Sequence, residues 1–436
     1  MKKILVAGAG HGGLVAAIHL AKNGHDVTVV EQKAREDMGH DWHDWLEYSA
    51  FDGAGIARPP ESLTRKAVLQ GFLNPSGTVE LRHGYNETAV IMDRKDLIAY
   101  LLQLADDAGV HLRFETEIVS PLLKGTAVRG LIVRTGDALT ALEGDLLIDS
   151  AGMNSPVRTR LPAVFGIDNS INRRSVFHVW RAYYENTDGA VNDPPYTIHL
   201  FHCNRPGIDW AITEKDYVDI LVGKFSQSGE LTQTDVDEAL AAFRKTYPYI
   251  GETIVRGGSF EDIPISRMLP LIVADGYAAV GDSAGMTVPL NGSGIILSMN
   301  AGKILADTVN AIDGPCTKAA LWPYEYEYFM KHGKDLVMID IIKTLFTYVK
   351  GEDIDYLTEK KILTSDQLSV ADSGSLNLSA QYILNLIVTG VPLLKLVPAA
   401  VRCFKTLPLV PFVCGAIPKD FDEEKVRRWI KRYRAL

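Results

Sequence analysis

The sequence predicts an α/β fold: a dinucleotide-binding unit interleaved with an antiparallel-sheet domain and followed by a helical C-terminal region. Three observations predict it. The chain opens with an apolar run, a glycine turn, a helical pattern and a second apolar run in ILVAGAGHGGLVAAIHLAKNGHDVTVVEQ (4–32). Aromatic, alternating segments fill roughly residues 175–260, and the glycine-dense stretch GYAAVGDSAGMTVPLNGSGIILSMNAGKILAD (276–307) then returns to the texture of the opening. The expected division is residues 1–165 and 263–330 for the nucleotide-binding domain, 166–262 for the antiparallel sheet, and 331–436 for the helical region.

Taken in order, Ile4 to Ala7 is a short uncharged run suited to a strand buried on both faces of a parallel sheet. Leu14, Ala17, Ile18 and Ala21 recur at helical spacing, Gly24 ends that pattern, and Val27 to Val30 reads as the second strand. Gly8 permits the turn between strand and helix, Gly10 leaves room for a pyrophosphate beside the backbone, and Gly13 lets helix and strand pack. Unpaired N–H groups at the positive end of the helix dipole suit phosphate oxygens. Glu31 ends the second strand 18 residues after Gly13, near the spacing of an acid that accepts hydrogen bonds from an adenosine ribose. The alternative is a glycine turn that packs without ligand.

TAVIMD (88–93) reads as an extended segment leading through Arg94 into a helix with Leu97, Leu101 and Leu104 on its apolar face. LRFETEIVS, GLIVRT and GDLLIDSAG read as strands joined by glycine-bearing turns, the last ending at Gly152. SVFHVWRAYYE, YTIHLFHC, DWAITE and YVDILVGKF predict the antiparallel sheet, one face of which suits the wall of a large apolar substrate or a second core. Cys203, closing the second of these segments, is expected as buried packing on a strand. Tyr277 to Val280 then predicts a strand, followed by a loop and a long helix, so the chain comes back to its first domain.

Composition narrows the function. A 47% hydrophobic and 23% charged chain of 436 residues is a folded protein, and a net charge of −9 without a Lys/Arg-dense face in its body argues against nucleic acid. Cys203, Cys316, Cys403 and Cys414 lack C-x-x-C spacing, which points to a reducing cytoplasm and away from zinc. The apolar run after Met-Lys-Lys is too short for a signal peptide. His40 and His43 in GHDWHDW have no third ligand nearby, so no metal is expected.

GAGHGG with Glu31, DLLIDSAGMNSPVR (145–158) and GDSAGMTVPLNGSG (281–294), in this order, resemble the FAD-dependent oxidoreductases of the para-hydroxybenzoate hydroxylase superfamily. That resemblance implies a Rossmann-type, glutathione reductase-like FAD-binding domain. It implies a cofactor site of Gly8, Ala9, Gly10, His11, Gly12, Gly13, Glu31, Gln32, Gly152 and Gly281, with Asp282 on the ribityl chain. Pro289, Gly292, Gly294 and Ile295 would lie beside the ring, Arg94 on the phosphate or ribose side, and Ile118 at the adenine. Ala151-Gly152, where the hydroxylases usually carry Asp-Gly, is more similar to the geranylgeranyl reductase family. PGIDWAITEKDYVDILVG resembles that family's tyrosine-x-tryptophan substrate motif, with Trp210 kept but Ile208 in place of the tyrosine and Thr213 where proline is common. WPYEYEYFMKHGKDL is similar to the helix that follows the flavin domain there.

The resemblance implies reduction of a carbon–carbon double bond in an apolar or lipid-like substrate, with Tyr183 and Trp210 as candidate substrate-wall residues. A flavin monooxygenase and a non-enzymatic prenyl-binding escort protein are the alternatives. No second dinucleotide unit is visible, so NAD(P)H, a ferredoxin or an electron-transfer flavoprotein is the expected electron donor. The apolar tail, 376–418, is broken by five prolines and is too interrupted to span a bilayer. The last helix carries Val426, Trp429, Ile430 and Tyr433 on one face and basic residues elsewhere, so residues 376–436 are expected either to touch a membrane surface or to dock on their own domain.

Overall fold

The structure is a computed structural model that describes residues 1–84, 88–171, 175–346, 348–365 and 397–436. Its central sheet has six strands, in the order Val273–Ala274, Tyr277–Ala279, Leu146–Asp149, Lys3–Ala7, Asp26–Val30 and His111–Arg113. Every neighbouring pair is parallel except the Val273–Ala274 edge. Lys3–Ala7 is paired on both sides and covered on both faces, which is why Ile4, Leu5, Val6 and Ala7 form an uninterrupted apolar run. The first helix spans His11–Lys22 and the helix after Arg94 spans Arg94–Asp107. Tyr277–Ala279 lies beside Leu146–Asp149, so the chain does return to the sheet it left.

A seven-stranded sheet carries the aromatic segments, in the order Ile250–Pro264, Val176–Asn186, Tyr217–Phe225, Ile208–Thr213, Tyr196–Leu200, Gln70–Leu73 and Glu80–His83. The last two strands come from within residues 1–165, and Tyr196–Leu200 runs parallel to Gln70–Leu73. Both strands are only four residues long, which left little pattern to read. The period of two along Val176–Asn186 separates the two faces. Trp180, Ala182 and Tyr184 pack under a helix, Gln233–Thr246, whereas Val179 and Tyr183 belong to the cluster on the opposite side.

One expectation is corrected here, and the last helix takes the second of its two expected placements. The Tyr196–Leu200 strand stops before Cys203, because Phe201, Cys203 and Asn204 all take positive φ, and Cys203 is exposed rather than buried. The final helix, Glu423–Arg434, docks on its own domain: Val426, Trp429 and Tyr433 are buried. Trp429 meets Phe329 edge-on at 4.9 Å and the Tyr433 hydroxyl donates to the Met268 carbonyl at 2.7 Å. The aromatic face expected at a lipid headgroup is therefore already occupied by protein. No helix among the described residues is long and apolar enough to cross a membrane. The apolar segment 376–396 lies outside the described residues.

The first helix crosses the long return helix, Ile295–Asn310, at backbone contact. A Cβ on Gly12 would stand 2.5 Å from the Ser298 carbonyl, and one on Gly302 would stand 2.2 Å from the Gly12 carbonyl. Gly302→Ala must push these helices apart and is expected to lower stability by about 1–3 kcal/mol. Urea unfolding of the purified variant checks this, and unchanged stability would mean that the crossing tolerates a methyl group.

Candidate functional site

The C-terminal ends of four parallel strands open into a groove, the usual ligand position in such sheets. The residues that follow those strands line it: Gly8 to His11, Glu31 and Gln32, Ser150 to Gly152, and Asp282. Ile118 and Arg94 line it from the sides. Gly8 takes φ +85°, and a Cβ there would stand 2.7 Å from the Ser150 carbonyl, so a side chain is excluded on both counts. The Glu31 carboxylate accepts the N–H of Ala9 and of Lys33, each at 3.0 Å. Gly10 precedes the first helix without a side-chain cap, and the N–H groups of Gly10 and His11 have no partner among the described residues. His11 Nε2 is also buried without a partner. Burial, and then the nearby Arg94 charge, pushes the His11 imidazole down to about 3, so it is neutral at ordinary pH.

Gly12 and Gly13 do not line the groove. Their N–H groups donate to the Ser298 hydroxyl at 3.0 Å and the Ser150 hydroxyl at 3.2 Å, which makes them packing glycines. The Asp149 carboxylate fastens the second and third motifs together by accepting from Ser155, Tyr277 and Ser283 hydroxyls at 2.6, 3.0 and 3.0 Å.

The groove continues past Gly10, His11, Arg94, Gly152 and Asp282 into a middle chamber that adds Trp42, Gly281, Gly292, Gly294 and Ile295. Burial raises the Asp282 carboxyl above its usual range, and the Arg94 charge partly opposes this. Pro289 lines neither space and is buried behind the loop.

Beyond Trp42, Arg94, Ile263, Gly292, Gly294 and Ile295, which border both spaces, lies an apolar cavity. It measures about 1430 Å³, counted out to solvent at its mouth. Trp45, Phe72, Tyr196, Ile198, Leu200 and Trp210 form much of its wall, and Phe346, Ile354 and Leu363 reach it from the helical region. Trp210 lines this cavity. Tyr183 does not: it is fully buried behind the wall, its hydroxyl accepting the His43 N–H at 2.9 Å.

Two ion pairs sit in this apolar setting. Arg94 forks onto Asp44 at 2.5 and 2.6 Å, and Arg181 forks onto Asp219 at 2.9 and 2.5 Å. The guanidiniums and indoles alternate: Arg94 lies 5.5 Å from the Trp42 ring centroid, Arg181 lies 5.4 Å from Trp42 and 5.1 Å from Trp210. His43 Nε2 lies 3.2 Å from Asp219 Oδ2 without the alignment of a hydrogen bond, and burial holds this histidine well below its usual value. His40 pairs instead with Glu261 at 3.5 Å. Sequence reading saw in GHDWHDW only two histidines; Trp42, Asp44, Arg181 and Asp219 were missed because their partners are far away in the chain.

The groove has room for a nucleotide along its open backbone, since a Cβ on Gly152 would meet nothing within 4 Å, and it presents unpaired donors at a helix start. Those features fit FAD. Residues 1–312 match the FAD binding domain family, and the chain belongs to that family. It is an FAD-dependent oxidoreductase. A digeranylgeranylglycerophospholipid reductase of Methanoculleus marisnigri is 26% identical over 344 residues, 74% of this chain and 81% of that protein. A geranylgeranyl bacteriochlorophyll reductase-like protein of Thermoplasma acidophilum shares the fold, with a TM-score of 0.73 at 16% identity over 93% of this chain and 99% of that one. PqsL of P. aeruginosa, solved with 2-aminobenzoylacetate, is similar at a TM-score of 0.62 and 20% identity over 82% of this chain and 98% of that one. These findings bear out the resemblance to the geranylgeranyl reductase family and set the escort reading aside.

Burial raises the Asp44 carboxyl, but Arg94 outweighs this and holds it below the usual 3.8. The stabilisation this pair adds is therefore complete above that value and is lost as pH falls through the folded-state pKa. Asp44→Asn is expected to cost about 1–3 kcal/mol at neutral pH, with the gap to the wild type closing in acid. Urea unfolding across the acid range checks it.

Proposed function

We propose that the chain reduces a carbon–carbon double bond of an apolar, lipid-like substrate held in the aromatic cavity. The observation that carries this reading is the shared border at Gly292, Gly294 and Ile295, where the apolar cavity meets the middle chamber into which the nucleotide groove continues. The reductase names of the curated relatives support reduction over hydroxylation. Ala151, standing where hydroxylases usually carry an acid, supports it as well.

When bound, FAD supplies the hydride from N5. In this reading Gly8 to His11 and Glu31 hold the adenosine and pyrophosphate, Gln32 and Ile118 flank the adenine side, and Asp282 takes the ribityl chain. Gly281, Gly292, Gly294 and Ile295 lie along the ring. Trp45, Phe72, Tyr196 and Trp210 exclude water and hold the alkene in place. Electrons reach the site from an external donor of the NAD(P)H, ferredoxin or electron-transfer flavoprotein class.

Glu31→Gln removes the charge at the ribose position and is expected to weaken FAD retention about tenfold or more, read as loss of flavin absorbance on dialysis. The reaction itself is tested by reducing the holoenzyme anaerobically and adding an unsaturated isoprenoid lipid. The expected result is flavin reoxidation matched by a product two hydrogens heavier. Reoxidation only in the presence of oxygen, with oxygen in the product, would establish a monooxygenase instead.

A further inference from the structure

The last helix buries one face and turns another outward. Val426, Trp429 and Tyr433 pack inward. Lys425, Arg428 and Arg432 stand at i, i+3 and i+7, so they share one side of the helix. With Ala416, Pro418 and Trp429 they surround a hollow at the surface. The acids nearest this row lie at the helix start: Asp422 is 3.5 Å from Lys425 and Glu424 is 3.9 Å from Arg428. Both pairs are exposed, where such contacts hold a side chain only weakly. Arg432 has no ion-pair partner among the described residues.

The hollow is also where an apolar stripe ends. The short helix Val410–Gly415 continues the turn Leu407–Leu409, and Leu409, Phe412 and Ala416 follow at helical spacing along its outer side. Val410 and Cys414, on its other side, are buried. Phe412 is 78% exposed and Leu409 52%. The Trp429 indole donates to the Val413 carbonyl at 2.9 Å, which fixes the short helix on the last one. Stripe and cations therefore form one surface, on a chain whose net charge is −9. None of these residues lines the groove, the middle chamber or the cavity, which favours a lipid surface over an electron carrier as its partner. Apolar side chains beside a row of cations match the hydrocarbon and phosphate of an anionic bilayer.

We propose that Leu409, Phe412, Lys425, Arg428 and Arg432 dock the protein on an anionic lipid bilayer, the two apolar side chains entering between headgroups and the three cations resting on phosphates. This goes beyond the reductase reading and does not rest on it. It also gives lipid a different face from the one the sequence pattern offered, which is buried.

The test sediments the full-length, FAD-loaded protein with two kinds of vesicle: phosphatidylcholine alone, and equal parts phosphatidylcholine and phosphatidylglycerol. The mixed vesicles are expected to bind at least about tenfold more tightly than the neutral ones, and to lose most of that advantage at about 0.5 M salt. Two variants alter only outward side chains: Phe412→Ser, and Lys425→Gln combined with Arg428→Gln and Arg432→Gln. Each is expected to weaken binding to the mixed vesicles about tenfold or more, with flavin absorbance retained. Insertion is read separately from Phe412→Trp, whose added fluorescence is expected to be quenched by brominated acyl chains. Equal binding to both vesicles, binding to neither, or binding that either variant keeps overturns the proposal. So does an added tryptophan signal that brominated chains leave unquenched. The reductase reading stands or falls on the anaerobic flavin reoxidation, whichever of these results is obtained.

Discussion

The architecture depends on one close contact between backbones. Gly12, in the opening motif, and Gly302, in the return helix nearly three hundred residues later, meet where neither can carry a side chain. The Gly12 N–H reaches the Ser298 hydroxyl across the same crossing. This contact brings the start of the return helix beside the start of the first helix. The two helix starts that line the groove and the middle chamber are then part of one packed unit. The Asp149 carboxylate does similar work from the other side, joining the second motif to Ser283 of the third and to Tyr277 on the strand before it. A site assembled from three distant segments is held by packing, not by the loops that line it.

The second constraint is electrostatic. Charged groups inside apolar walls persist only when each has its partner. Here the partners are supplied in pairs, Arg94 with Asp44 and Arg181 with Asp219, while the indoles of Trp42 and Trp210 occupy the cation faces. The result is an ordered aromatic wall whose polar members hold one another. Arg94 borders the groove, the middle chamber and the cavity, so the same ion pair steadies all three. A single helical turn or strand could not provide that.

The seven-stranded sheet divides its labour by face. On one side Trp180, Ala182 and Tyr184 are sealed under the Gln233–Thr246 helix. On the other, Phe72, Tyr196, Ile198 and Trp210 are left to line a cavity that Phe346, Ile354 and Leu363 reach from the helical region. The same alternation that builds an ordinary core on one face therefore builds a cavity wall on the other. The final helix completes the packing by burying Trp429 and Tyr433 against the flavin domain.

The sequence by itself determined the opening strand–turn–helix–strand, the return of the chain at Tyr277 and the aromatic strands from Val176 onward. Each depends on local periodicity and on glycines whose neighbours lie close in the chain. Only the tertiary structure decided that Trp210 lines the cavity with Tyr183 behind it, that Gly12 packs against the return helix, that Cys203 leaves its strand at a run of positive φ, and that the aromatic face of the last helix is docked. It alone matched Asp44 to Arg94 and Asp219 to Arg181. The physical reason is separation: a hydrophobic period repeats within a few residues, whereas the partner that buries an indole or neutralises a guanidinium lies tens to hundreds of residues away, and nothing in either residue's neighbours names it.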